Sequence, residues 1–209
     1  MVLREVRRQR LMLFKLSSKQ LCELALVCRW IARRKMPEGL VCKKLPGDLG
    51  FGIFLHPEAA PLRPSHVIGS YSGKLSLSVQ NQPDESAYAF ALLFDVLLSK
   101  EEQKRFDPSH LYHPRRHYCL SIDAMASGNF MRLINHSHKP NLVAELCRIP
   151  KNRRGLVPSP IEVVYLVKKT IRPGEQLLVS YEGEAKSYWN TLKIKPLPIT
   201  PKTFQFSDL

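Results

Sequence analysis

The sequence predicts a β-rich fold with short helices, preceded by an amphipathic helix, and three observations carry that prediction. From about Lys43 onward, short β-like runs are separated by Gly, Pro and polar turns. Before that point one stretch has helical periodicity, with its own start and stop signals. The chain has 209 residues, 44% of them hydrophobic, which is enough for one sizeable core.

In chain order, Ser17 followed three residues later by Gln20 reads as a capping box. Leu21, Leu24, Ala25, Cys28 and Ile31 then recur at helical spacing until Pro37 and Gly39 end the pattern, so a helix is expected from about Ser18 to Lys35. Its outer face carries Lys19, Arg29, Arg33 and Arg34. Strands are expected at Gly52 to Leu55, Val67 to Tyr71, Tyr88 to Phe94, His117 to Ile122, Leu142 to Leu146, Ile161 to Val167 and Gln176 to Val179. The polar segment Ser99 to Arg116, with Pro108 and Pro114, reads as a loop or short helix between two of them. Domain boundaries follow: a basic helical region over 1–42, the main domain over 43–184, and a C-terminal segment over 185–209.

The formal charge is +14, which excludes a neutral or acidic surface and points to a polyanionic neighbour. It is concentrated at the start: residues 1–44 hold 12 Lys and Arg against three acids, a balance of +9, and the other 165 residues carry +5. Five cysteines (Cys22, Cys28, Cys42, Cys119 and Cys147) form no CxxC pair, which argues against a disulfide framework or zinc cluster and for a reducing compartment. No apolar run approaches the length of a membrane span, and the stretch after MVLREVRRQR is too short for a signal-peptide core. A soluble protein of the cytoplasm or nucleus is the expectation.

Common enzyme motifs fail. Gly69-Ser-Tyr-Ser-Gly73 places Tyr71 where a nucleophile elbow needs serine. Gly50-Phe-Gly52 is too short for a dinucleotide fingerprint, and no phosphate-binding GxxxxGK[ST] loop occurs. His110, His113, His117 and Cys119 have spacings a metal could use, but they flank Pro114-Arg115-Arg116 and read as an exposed basic loop.

The informative stretches are Arg132-Leu-Ile-Asn-His-Ser-His-Lys-Pro-Asn141 and, some thirty residues later, Gly174-Glu-Gln-Leu-Leu-Val-Ser-Tyr181. The first is dense in amides and imidazoles beside apolar Leu133-Ile134, an arrangement that is costly to bury unless those groups bind one another or a ligand. The second is a Pro-Gly turn feeding a strand that ends in a tyrosine. Together they resemble the signatures RFINHSCxPN and GEELxxDY of the SET-domain family of protein lysine methyltransferases. Two further family blocks fall in order, a GxG turn at Gly50-Phe-Gly-Ile-Phe54 and a YxG block at Tyr71-Ser-Gly73, so the resemblance covers about 135 residues.

The resemblance implies the SET fold with its knot-like crossing, and S-adenosylmethionine as cofactor. It implies that Phe51, Gly52, Arg132, Asn135 and His136 bind this cofactor and that Trp189 covers its adenine. Tyr181 would be the catalytic tyrosine, and Tyr71 a second one lining the lysine channel together with Val179 and Ala144. Because Val179 and Ala144 stand where relatives often carry a restricting aromatic hydroxyl, a di- or trimethylated product is expected unless Tyr165 or Tyr118 fills the space. The sequence departs from the family at His138 in place of cysteine, at Gln176 in place of the second Glu of GEEL, and at Ser70 and Lys74 beside YxG. No cysteine follows Cys147, so the zinc-binding post-SET triplet is absent and no metal is implied. The short form and basic leading helix are similar to SET proteins of chlamydiae and other intracellular bacteria. The implied partner is a basic protein substrate, histone or histone-like, with DNA contact through the N-terminal basic region and no membrane. The alternative is a catalytically silent SET module that binds chromatin or nucleic acid.

Overall fold

The computed structural model describes residues 1–47, 50–79, 88–106, 112–150 and 161–181. It is mostly β, with ten strands and three short helices among those residues. Two compact units are present: residues 1–13 with 72–129, and residues 14–71 with 130–209.

In the first unit a three-stranded antiparallel sheet has the order β4 (Lys74–Val79), β6 (His117–Asp123), β5 (Ala89–Leu97). Helix α1 (Val2–Arg8) packs on β5. Its Glu5, 1% exposed, receives Arg4 at 3.1 Å and Arg8 at 2.7 Å, and those arginines also bond the carbonyls of Leu97 and Asp95. Two of the N-terminal arginines, although exposed, thus also bond groups of their own unit. Helix α3 (Lys100–Phe106) forms within the segment read as loop or short helix.

The second unit is built on an antiparallel sheet of order β3 (Val67–Tyr71), β9 (Ile161–Val167), β8 (Leu142–Arg148). All seven residues of central β9 are buried, Glu162 among them, as its mostly apolar sequence requires of a strand covered on both faces. Helix α2 (Ser18–Ala32) begins with both bonds of the Ser17–Gln20 capping box and lies on β3. Leu24, 1% exposed, packs with Leu16, Val67, Ile149, Val164 and Leu166. The helix stops three residues before the expected Lys35. Arg34 turns left-handed at φ 55°, Arg34 N bonds Ile31 O and Lys35 N bonds Trp30 O, a closure that satisfies the last carbonyls before Pro37 is reached.

The remaining elements of this unit are short. β1 (Leu40–Lys44) and β2 (Phe51–Leu55) form a hairpin with Lys43 opposite Gly52. A 3-10 turn (Phe130–Leu133) leads into β7 (Asn135–His136), which runs parallel to β10 (Leu178–Val179). Sequence reading places the first part of that last strand at Gln176; regular pairing with β7 begins at Leu178, because residues 174–177 bond β2 instead. β1, β4 and α1 were not foreseen. All five cysteines are free thiols, and no helix among the described residues is long and apolar enough to cross a membrane.

Candidate cofactor and lysine site

Three segments distant in sequence meet within the second unit. β2 is bonded along its length to the Pro-Gly turn: Gly174 N to Leu55 O at 2.9 Å, Leu55 N to Glu175 O at 2.9 Å, and Leu177 N to Ile53 O at 2.8 Å. The same turn then pairs with β7, setting Asn135 opposite Leu178 and His136 opposite Val179. Asn141 locks this junction. Its side-chain amide mimics a peptide, donating to Gln176 O at 2.8 Å and accepting from Leu178 N at 2.8 Å. The sequence placed Asn141 in a polar cluster but gave it no role; its spacing from the strand it clamps shows only in the fold.

Asn135 and Gly52 come together. Asn135 Nδ2 donates to Phe51 O at 2.9 Å, and a Cβ placed on Gly52 would lie 3.2 Å from that nitrogen and 2.5 Å from Gln176 Nε2. Position 52 therefore has to be glycine for two amides to approach the backbone this closely. Phe51 beside it is half exposed, and Arg132 is half-buried in the 3-10 turn. This cradle fits an extended ligand with polar ends: exposed Phe51 stands beside buried Gly52, amides converge there, and a guanidinium stands on the adjoining turn.

His136 is buried, and its imidazole faces Tyr181, with ring centroids 5.4 Å apart and Nδ1 accepting from Tyr181 N at 2.9 Å. That bond fixes a tautomer with the proton on Nε2. The resemblance assigns His136 to the cofactor; in the fold, its Nδ1 is committed to holding Tyr181 in place. His138, which replaces the motif cysteine, meets His136 edge-on at 4.8 Å.

Tyr181 donates its hydroxyl to Ile134 O at 2.7 Å, so both its backbone and its phenol are anchored on the 134–136 segment. Tyr71, 6% exposed, stacks on Tyr165 with centroids 6.0 Å apart. Burial first, and then Tyr181 and Tyr71, push the Tyr165 phenol well above its ordinary value, so it stays neutral. Tyrosines from β3 and from the end of the 174–181 segment thus both act on Tyr165 of β9. Of the two tyrosines left open by the sequence, Tyr165 joins Tyr71 and Tyr181, while Tyr118 lies on β6 in the other unit. Ala144 stands opposite Tyr165 in the sheet, and Val179, 1% exposed, stands opposite His136. Trp189 lies outside the described residues.

The SET domain model matches residues 21–182, and the chain belongs to that family. A curated relative, the histone-lysine N-methyltransferase set-2 of Caenorhabditis elegans, is 27% identical over 133 residues, which is 64% of this chain but 7% of that protein's length. Among solved structures, ATXR5 in complex with histone H3.1 mono-methylated on R26 superposes with a TM-score of 0.54 at 18% identity, covering 82% of this chain and 69% of that one. The ATXR5 SET domain with histone H3 di-methylated on R26 gives 0.54 at 18% identity, covering 84% and 72%. At these identities the structural likeness is one of fold.

Proposed function

We propose that this chain transfers a methyl group from S-adenosylmethionine to the side-chain amine of lysine in a basic protein, histone or histone-like. Membership of the SET family supports the class of reaction, and the name of the nematode relative and the histone H3 peptides of the ATXR5 structures support the substrate class. The observation that carries the reading is the doubly anchored Tyr181, set against His136 next to the Asn135–Gly52 cradle.

Bound at that cradle, the cofactor supplies an electrophilic methyl. Phe51, Gly52, Arg132 and Asn135 would hold it. The protein's own task is to bring a neutral amine up in line and keep water out. A lysine at its ordinary pKa of about 10.4 is charged at neutral pH, and an apolar wall of Tyr71 and Tyr165 disfavours that charge. Tyr165 stays protonated and adds no negative charge that would trap the ammonium. Because the Tyr181 hydrogen is directed to Ile134 O, the phenol oxygen is oriented as an acceptor at a fixed position, and fixed position is what a preloaded methyl donor needs most.

DNA accompanying the substrate would meet Arg29, Arg33 and Arg34, which are exposed on and just after α2. The direct test is incubation with labelled S-adenosylmethionine and a panel of histones and histone-like proteins. Cofactor binding without methyl incorporation on any of them would favour a silent binding module.

A further inference from the structure

Five basic residues that stand far apart in sequence come to one loop cluster of the second unit: Arg63, Lys139, Lys168, Lys169 and Arg172. Backbone pairing brings them there. Leu62 and Ile171 form an antiparallel bridge, N to O at 2.9 Å in both directions. Ile171 is fully buried, so its neighbours Thr170 and Arg172, and Arg63 across the bridge, turn outward by the alternation of extended chain. Ser65 N bonds Val167 O at 2.7 Å and Val167 N bonds His66 O at 2.9 Å, which keeps the same loop alongside Lys168. Asn141 O accepts from Lys168 N at 2.8 Å and from Lys169 N at 3.2 Å, two residues after Lys139.

All five side chains are exposed, and among the described residues none of them is in an ion pair. Of the acids on these segments, Glu175 accepts from Arg172 N at 2.8 Å, and Glu58 is exposed ahead of the bridge. Gathered like charges repel one another, and a polyanion relieves that repulsion. The surroundings select the kind of polyanion. Among the described residues, no large apolar side chain is exposed on segments 61–66, 137–141 or 167–173. A protein interface is centred on aromatic or aliphatic anchors, and a membrane surface needs an apolar face to insert. Phosphate contacts need only cations and accessible polar groups.

We propose that this cluster binds the phosphate backbone of duplex DNA, as a cationic surface additional to Arg29, Arg33 and Arg34. Neither the cofactor nor a lysine substrate is needed for it.

The test compares the full chain as wild type, with all five residues changed to glutamine, and with only Lys168→Gln and Lys169→Gln. Binding of a short fluorescein-labelled duplex is followed by anisotropy across a salt series, beside poly-glutamate and phosphatidylserine-containing vesicles, and melting temperature is measured without ligand. Wild-type affinity should fall steeply with salt. The logarithmic slope should shrink by about 3 to 5 in the five-residue variant and by about 1 to 2 in the pair. At about 0.1 M salt the five-residue variant should bind at least about tenfold more weakly. Both should melt as wild type does, since only exposed side chains change; if the larger variant does not fold, the pair decides. Changing Lys100, Lys104, Arg105 and Arg115 to glutamine removes exposed charge from the other unit and should preserve most of the slope. The proposal is overturned by a wild type that binds no duplex, by an unchanged slope and affinity in the variants, or by an equal loss in that control. Binding of poly-glutamate or the vesicles as tightly as the duplex also overturns it.

Discussion

Changing Tyr181 to phenylalanine removes one oxygen and almost nothing else. The ring keeps its place against His136, and the backbone N–H keeps its bond to Nδ1. What is lost is the 2.7 Å hydrogen bond to Ile134 O, a net contribution of about 1 kcal/mol to stability. For a chain of this size that lowers the melting temperature by about 2–4 °C. The Asn135–Gly52 cradle lies on other atoms, so affinity for S-adenosylhomocysteine should stay near wild type. Methyl transfer should fall by at least about tenfold, or about 1.4 kcal/mol of transition-state stabilisation, because the oxygen that fixes the reacting centre is gone. The assay is single-turnover transfer at saturating cofactor, with calorimetry and a thermal melt on the same sample. Turnover near wild type would refute the role given to Tyr181. So would a rate loss accompanied by an equal loss of cofactor affinity, since the hydroxyl would then be acting through binding.

The other predictions concern charge, thiols and the core. Replacing Arg29, Arg33 and Arg34 together with glutamine should weaken binding to a DNA-bound substrate more than to a free peptide, with the difference shrinking as salt rises; equal effects on both would mean that this face meets no polyanion. Burial, the largest cause for each, pushes the Cys28 thiol up to about 11 and the Cys147 thiol up to about 12. At pH 8 a thiol with a pKa of about 11 is ionised on the order of one part in a thousand, so exposed Cys22 should be alkylated well before Cys28 and Cys147; comparable rates for Cys147 and Cys22 on mass mapping would contradict this burial. With both folded values raised, the stabilisation from the neutral thiols is complete below the unfolded pKa of about 8.5 and is lost as pH climbs through the folded values. Leu24→Ala should cost about 2–5 kcal/mol in chemical denaturation, because Leu24 fills the contact between α2 and the β3–β9–β8 sheet; a cost well under 1 kcal/mol would show that α2 does not belong to this core.

What the sequence revealed depended on how local each signal was. The capping box at Ser17 and the mostly apolar run of β9 are read within a few residues, and α2 begins and β9 spans where expected. β1 was missed because Leu40–Lys44 ends in two lysines and is only partly buried, so neither alternation nor an apolar run marks it. α1 was missed because its stability comes from Glu5 gathering Arg4 and Arg8, an arrangement that reads in sequence as surplus charge. In the site, the resemblance to the family's motifs singled out Asn135, His136, Gly52 and Tyr181. It did not show that the His136 ring serves Tyr181, that Asn141 clamps residues 176–178, or that Gln176 faces Gly52, since each of these depends on pairing between segments about 35 to 125 residues apart.

The most direct test of the account is intact-mass and fragment-ion spectrometry of histone and histone-like substrates after incubation with excess S-adenosylmethionine, comparing wild type with Tyr181→Phe. The account predicts whole-methyl mass increments on lysine side chains with wild type, strongly reduced with the variant. Methyl groups on another residue type, or no increment on any substrate from a wild-type protein that binds the cofactor, would contradict it.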